Sequence, residues 1–215
     1  MSEAPQPDDV GKNYDAIAAE YVRNIYDELK DKPLDRALLD RFADAMREKG
    51  LVCDIGTGPG HVARYLQERG VQVCGIDLST EMITQARRLN PGIEFQQGDM
   101  FALDLPNETF AGMTAFYAVV NIPREKLVRA LRELHRILKS DGLLLLAFHL
   151  GDDDLHREEM WGINVSLDFY FFPRDEMIDC LRAAGFEIRE VIERDPYPEV
   201  EHPSRRAYIF ARKPV

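Results

Sequence analysis

Three aspartates and a run of glycines carry the chemistry open to this chain. Asp54 sits inside Asp54-Ile55-Gly56-Thr57-Gly58-Pro59-Gly60, Asp77 closes the next apolar run, and Asp99 follows the one after that. Glycine permits positive φ and lets a ligand lie against bare backbone. A helix opening near Gly60 would aim its unpaired N–H groups at the same place. The stretch is therefore a cradle for a nucleotide-like molecule. A dinucleotide would need G-x-G-x-x-G, and here the last position of that pattern is His61. Asp54 inside the turn would repel a pyrophosphate but suits a ligand that carries an ammonium group. The spacing D-x-G-x-G-x-G, with Asp77 and Asp99 behind it, favours S-adenosylmethionine.

For these residues to meet, the chain must bring them to one edge of a sheet. Residues 51–55, 71–76, 93–96, 111–116 and 143–148 read as strands, the first covered on both faces and the last central in the sheet. Helices are expected over 60–69, from the N-cap Ser79 to Asn90, and from Pro123 to Ser140. Another runs from Pro173 to Gly185, and strands over 186–192 and 206–211 close the chain with no helix between them. The alternation predicts an α/β fold: a doubly wound, seven-stranded, mostly parallel sheet with an antiparallel C-terminal edge hairpin. Residues 1–9 read as a disordered tail, and 10–215 as one domain. Its N-terminal lid helices cover 10–48 and a substrate-side insertion covers 151–172. Ligands of such sheets bind beyond the carboxyl ends of the strands. Those ends carry Asp54, Asp77, Asp99-Met100, Tyr117 with Asn121, and His149.

The 215 residues, 45% of them hydrophobic, suit one domain with a full core. A formal charge of -11 argues against nucleic acid or an anionic membrane as main partner. No apolar run has membrane-spanning length, and the start has no signal-peptide core, so a cytoplasmic protein is expected, as monomer or homodimer. Cys53, Cys74 and Cys180 show neither metal spacing nor a disulfide framework, and no metal is expected.

The stretches Val52–Gly60, Gly75–Ser79, Gln97–Met100 and Leu138–Leu145 resemble the class I S-adenosylmethionine-dependent methyltransferases, of Rossmann-like fold. The resemblance spans roughly residues 45–150, and Ser140-Asp141 departs from the usual Pro-Gly before Gly142. It implies a cofactor site of Asp54, Gly56, Thr57, Gly58 and Gly60, with Asp77 on the ribose hydroxyls. Leu78 and Met82 would flank the adenine, Gly98, Asp99 and Met100 would sit at its edge, and Phe116 would stand nearby. Tyr14 and Tyr21, in Tyr14-Asp15-x-x-Ala18-x-x-Tyr21, resemble the lid helix of small-molecule members.

The reaction implied is in-line attack of an N, O, S or C nucleophile on a sulfonium methyl, driven mainly by alignment and desolvation. His149, Tyr117 and Asn121 are the candidate catalytic residues. His149 is either a base or a histidine bonded to backbone, and Asn121 orients substrate. Substrate contacts are expected from Tyr117, Asn121, His149, Trp161 and Tyr170, and the aromatics either wall a pocket or pack an extra strand. Asp152–Asp154 read as a solvated loop. Arg205 and Arg206 either meet an anionic group or decorate a sheet edge. The acceptor is expected to be a small molecule. The alternatives are a protein or tRNA substrate, or a non-catalytic cofactor-binding module.

Overall fold

The computed structural model describes residues 7–215. Most of the tail expected over 1–9 lies outside them, and the first helix already starts at Pro7. In chain order the elements are α1 (Pro7–Ile25), a 3-10 turn (Glu28–Asp31), α2 (Pro33–Met46), β1 (Val52–Ile55), α3 (His61–Gln67), β2 (Val73–Asp77), α4 (Thr80–Leu89) and β3 (Glu94–Gln97). Then come β4 (Phe110–Phe116), α5 (Arg124–Ile137), β5 (Leu138–His149), β6 (Asp154–Met160), β7 (Ile163–Tyr170), α6 (Arg174–Ala183), β8 (Glu187–Arg194) and β9 (Arg206–Arg212).

Seven strands form one sheet in the order β3-β2-β1-β4-β5-β9-β8. β1 to β5 run parallel, because α3, α4 and α5 return the chain across the faces. Period-two alternation in β5 divides its side chains between two cores. Leu144, Leu146 and Phe148 pack with Leu127 and Leu131 of α5 and Leu181 of α6. Leu145 and Ala147 pack with Phe42 of α2 and Leu66 of α3. β9 runs antiparallel between β5 and β8, so the hairpin places its second strand inside and its first at the edge. The fold is the doubly wound, mostly parallel sheet with an antiparallel edge hairpin that the alternation predicts.

Two local features differ from the sequence reading. α5 ends at Ile137, before Ser140, and the chain passes straight into β5 with a register shift between Phe110 and Gly112. The backbone at Asp141 and Gly142 is taken up by Lys213, through Asp141 N to Lys213 O and Lys213 N to Gly142 O, both 3.0 Å, so this turn belongs to the sheet. Residues 151–172 hold a separate two-stranded sheet, β6 with β7. Its tip is Trp161-Gly162, with φ of 52° and 82°, a mirror-image turn whose twist matches that of the strands. Val165 and Leu167 of β7 pack on Ile17 of α1. Lid helix and hairpin thus form one roof over the carboxyl ends of the sheet. Among the described residues no helix is long and apolar enough to cross a membrane.

Candidate functional site

Under this roof lies a cavity of about 360 Å³. It opens at the carboxyl ends of β1, β2, β4 and β5, where the strand order reverses between β1 and β4, the expected ligand position of such a sheet. Most of the site residues expected from sequence meet on its wall. The sheet side supplies Gly56, Gly58, Asp77, Gly98, Asp99 and Met100, with Leu78 from the turn before α4 and Met82 from its first turn. Phe116, Tyr117, Asn121 and His149 line the other half, and Tyr14, Tyr21 and Trp161 close it from the roof. Asp54, Thr57, Gly60 and Tyr170 are not on this wall.

Asp54 is 2% exposed, and its two oxygens accept from Thr57 Oγ1 and Thr114 Oγ1, each at 2.7 Å. Burial pushes its carboxyl up, and the two hydroxyls partly offset this. Geometrically Asp54 braces the turn from behind, leaving the cavity surface there to the backbone of Gly56 and Gly58. At Gly56, φ is +64° and a Cβ would lie 2.5 Å from Ala118 Cβ, so no side chain fits. At Gly60 a Cβ would meet Phe95 and Asn90 at 2.7 Å, so packing rather than ligand access demands that glycine.

Asp77 is oriented by two backbone donors, Gly58 N to Oδ2 at 2.8 Å and Ser79 N to Oδ1 at 2.9 Å. Burial pushes its carboxyl up to about 6, against the pull of those donors. A carboxylate fixed in this way keeps lone pairs for two neighbouring hydroxyls. Asp99 accepts from Phe101 N at 2.9 Å.

The roof is tied to the same place. Asp15 Oδ1 accepts from Ser79 Oγ and from Glu81 N at 2.9 Å, while Ser79 Oγ caps α4 by accepting from Met82 N at 3.0 Å. Tyr14 Oη donates to Asn121 Oδ1 at 2.8 Å, and Asn121 Nδ2 donates to Asp168 O at 2.7 Å. Asn121 therefore links the lid helix to the hairpin. Tyr21 stands edge-on to both Tyr14 and Trp161, with ring centres 6.1 and 5.8 Å apart.

The far end of the cavity is charged, and sequence reasoning largely missed it. Lys32 and Arg206 line it while only 4% and 2% exposed. Lys32 Nζ lies 2.7 Å from Glu28, 3.5 Å from Glu201 and 5.5 Å from the centre of the Tyr117 ring. Arg206 Nε lies 3.2 Å from Glu201, and Arg206 Nη1 donates to the carbonyl of Ser204 and, at 2.9 Å, to Ser204 Oγ. Ser204 Oγ is 2.8 Å from His149 Nδ1. The His149 ring stacks on Phe171 at 5.1 Å and lies 4.9 Å from that of Tyr117. Burial first, then Arg206, His202 and Lys32, hold its imidazole down to about 3, so it is neutral near pH 7. That is far from the value a general base would have at a working pH near neutrality.

Arg205 and Arg206 part company: Arg205 is exposed and pairs with Glu193 at 3.0 Å and Asp195 at 3.3 Å, whereas Arg206 turns inward. Asp152 and Asp153 are exposed, as expected of a solvated loop, but Asp154 opens β6 and lies 3.5 Å from Arg124, so it is not part of that loop. One sequence signal for the charged end existed. Lys32 precedes Pro33 at the N-cap of α2, where the helix field repels a cation unless an anion answers it.

A family model described as a methyltransferase domain matches residues 52–142. A phosphatidylethanolamine N-methyltransferase of Cereibacter sphaeroides is 31% identical over 146 residues, which are 65% of this chain and 70% of that protein. A malonyl-[acyl-carrier protein] O-methyltransferase of Enterobacter lignolyticus (strain SCF1) is 30% identical over 152 residues, 68% of this chain and 58% of that protein. The chain spans about half the length of several curated relatives it matches. Among solved structures, a S-adenosylmethionine-dependent methyltransferase of Methanosarcina mazei superposes with a TM-score of 0.72 at 17% identity, covering 81% of this chain and 97% of that one. At that identity the likeness establishes the shared fold.

Proposed function

Because the chain belongs to the S-adenosylmethionine-dependent methyltransferase family, we propose that it transfers a methyl group from S-adenosylmethionine to a small-molecule acceptor. When bound, the cofactor supplies an electrophilic methyl on a sulfonium with a neutral leaving group. One observation carries the reading. The fixed Asp77 carboxylate and the bare backbone of Gly56 and Gly58 open into a roofed cavity of about 360 Å³, within the range of small-molecule sites.

In this reading Asp77 accepts from both ribose hydroxyls. Asp99 and the Met100 backbone face the adenine edge, and Leu78 and Met82 flank its ring. Asp54 acts through the turn it braces. Tyr14, Tyr21 and Trp161 exclude water from the methyl, and Asn121 holds the roof and the acceptor in register. Alignment and desolvation then supply most of the barrier reduction. The roof leaves a small acceptor room where a protein or tRNA chain would have to displace α1, and the acidic composition supports the same choice. The protein is proposed to work in the cytoplasm as a monomer or homodimer.

The relatives' names span an oxygen and a nitrogen acceptor, so the acceptor must be identified by experiment. Calorimetry with S-adenosylmethionine, followed by a labelled-methyl assay on small-molecule and macromolecular extract fractions, tests the reading. Saturable binding with label in the small-molecule fraction is expected. Absence of binding, or label only in protein or RNA, contradicts it.

A further inference from the structure

The hydrogen bonds around His149 fix its role more narrowly than its position does. A guanidinium can only donate. Ser204 Oγ, 2.9 Å from Arg206 Nη1, must therefore act as acceptor there. Its own proton then has His149 Nδ1, at 2.8 Å, as partner. Ser204 is buried at 9% exposure, so leaving that proton unmatched would cost free energy. Nδ1 is thus the acceptor, and the ring proton sits on Nε2. His149 lines the cavity and its Nδ1 side is occupied, which leaves Nε2–H as the group offered to a ligand.

We infer that His149 is a fixed hydrogen-bond donor and not a base, held in the Nε2–H tautomer by the chain Arg206–Ser204–His149, and that the acceptor molecule presents an oxygen, carboxylate or enolate-like, to it. Ser204 is on this account a positioning residue. The charges around the ring agree with an oxygen ligand. Arg206 from β9 and Lys32 from the segment before α2 border this end of the cavity, with His202 and Glu201 from the loop before β9 and Tyr117 from the end of β4. Arg206, Lys32 and Arg194 already answer Glu201, and Lys32 also takes Glu28, so an amine-bearing ligand would find both carboxylates of this end engaged. Burial together with Arg206, His202 and Lys32 keeps the imidazole neutral, consistent with a donor that does not titrate near pH 7.

The substrate half of this inference rests on the methyl-transfer reading, and the tautomer half does not. Long-range proton–nitrogen NMR on protein labelled at histidine nitrogens, alone and saturated with S-adenosylhomocysteine, reads the tautomer directly. The expected spectrum shows Nε2–H for His149 with no titration between about pH 5 and 8. A proton on Nδ1, or a midpoint within that range, overturns the donor role. Ser204→Ala should mix the two tautomers, and an unchanged spectrum would remove Ser204 from the account.

Benzoate and benzylamine then serve as matched probes on the loaded protein. Benzoate should shift the His149 Nε2–H resonance. His149→Phe should weaken benzoate binding about tenfold, and His149→Gln, which keeps an N–H donor but no base, should restore most of it. No response to benzoate, preference for benzylamine, or failure of the glutamine variant to rescue overturns the oxygen-acceptor class. If S-adenosylmethionine itself does not bind, the methyl-transfer reading fails while the tautomer of the free protein still stands or falls alone.

Discussion

At the scale of single residues, the proposed cofactor contacts centre on Asp77. Its oxygens are already aimed by Gly58 N and Ser79 N, so ribose hydroxyls in the proposed position would meet a rigid acceptor. Two charge-assisted bonds of this kind are worth roughly 3 kcal/mol together, and Asp77→Ala should weaken S-adenosylmethionine binding about 100-fold by calorimetry. Asp77→Asn should rescue little, because its amide N–H₂ would face a backbone N–H. The carboxyl titrates at about 6, raised mainly by burial. The sign is then fixed: the folded protein takes up this proton as pH falls through about 6, before the unfolded chain does at its ordinary value. Asp77 therefore costs the free protein stability at neutral pH, and that cost is relieved in mild acid. Cofactor binding should behave oppositely, since in the proposed role it needs the carboxylate. Affinity should be level above about pH 6 and fall by up to about tenfold per unit below it. A flat profile down to pH 5 would rule out Asp77 as the ribose acceptor.

At the scale of elements, α1 and the β6–β7 hairpin make a roof that is pinned at few points. Asp15 is one, bridging α1 to the first turn of α4 through Ser79 Oγ and Glu81 N. Removing it takes one acceptor from a helix N-terminus, a loss of about 1 kcal/mol, and frees the lid. Asp15→Ala should raise hydrogen exchange over residues 10–25 and speed release of S-adenosylhomocysteine in stopped flow, with little change in the sheet. Unchanged exchange in α1 would show that Ile17 packing on Val165 and Leu167 holds the lid without Asp15.

What could be read from sequence follows the reach of each interaction. Tyr14 and Tyr21 were legible through a resemblance carried by one short local motif. The anchoring role of Asp15 was not, because Ser79 lies 64 residues away. β6 was hidden because Asp154-Leu155-His156-Arg157-Glu158-Glu159 has almost no apolar face, so its strand form comes from pairing with β7. Trp161 was legible as an aromatic near the site, but not as a turn residue, since a positive φ at tryptophan has no sequence signature. The central strands β1, β4 and β5 were legible because buried parallel strands advertise themselves as apolar runs.

At the scale of the whole molecule, one buried charge network ties the segment before α2 to the loop between β8 and β9 and to the far end of the cavity. Glu201 is its hub, with a side chain only 3% exposed. It meets Arg194, Arg206 Nε at 3.2 Å and Lys32 at 3.5 Å. Arg194 also pairs with Asp35 at 3.0 Å, which accepts from Tyr208 Oη at 2.8 Å. Its members come from four separated parts of the chain, which is why sequence spacing could not assemble them. A buried pair as a whole adds little stability, but removing one partner strands the others. Glu201→Ala leaves Arg206, Lys32 and Arg194 short of an anion, and should cost about 3–5 kcal/mol. That is a fall of roughly 10 °C in Tm for a chain of this size. The same network sets the acid limit. Burial pushes Glu28 up, but His61 and Lys32 outweigh it and bring its carboxyl down to about 2. Such a depressed carboxylate contributes its stability above the ordinary value of 4.5 and loses it as pH falls toward about 2. Acid unfolding followed by circular dichroism should therefore begin below about pH 4.5 and shift upward in Lys32→Met, whose Glu28 has lost its cation. An acid midpoint unmoved by Lys32→Met, together with a Tm unmoved by Glu201→Ala, would show that the loop before β9 is held by packing and not by these charges.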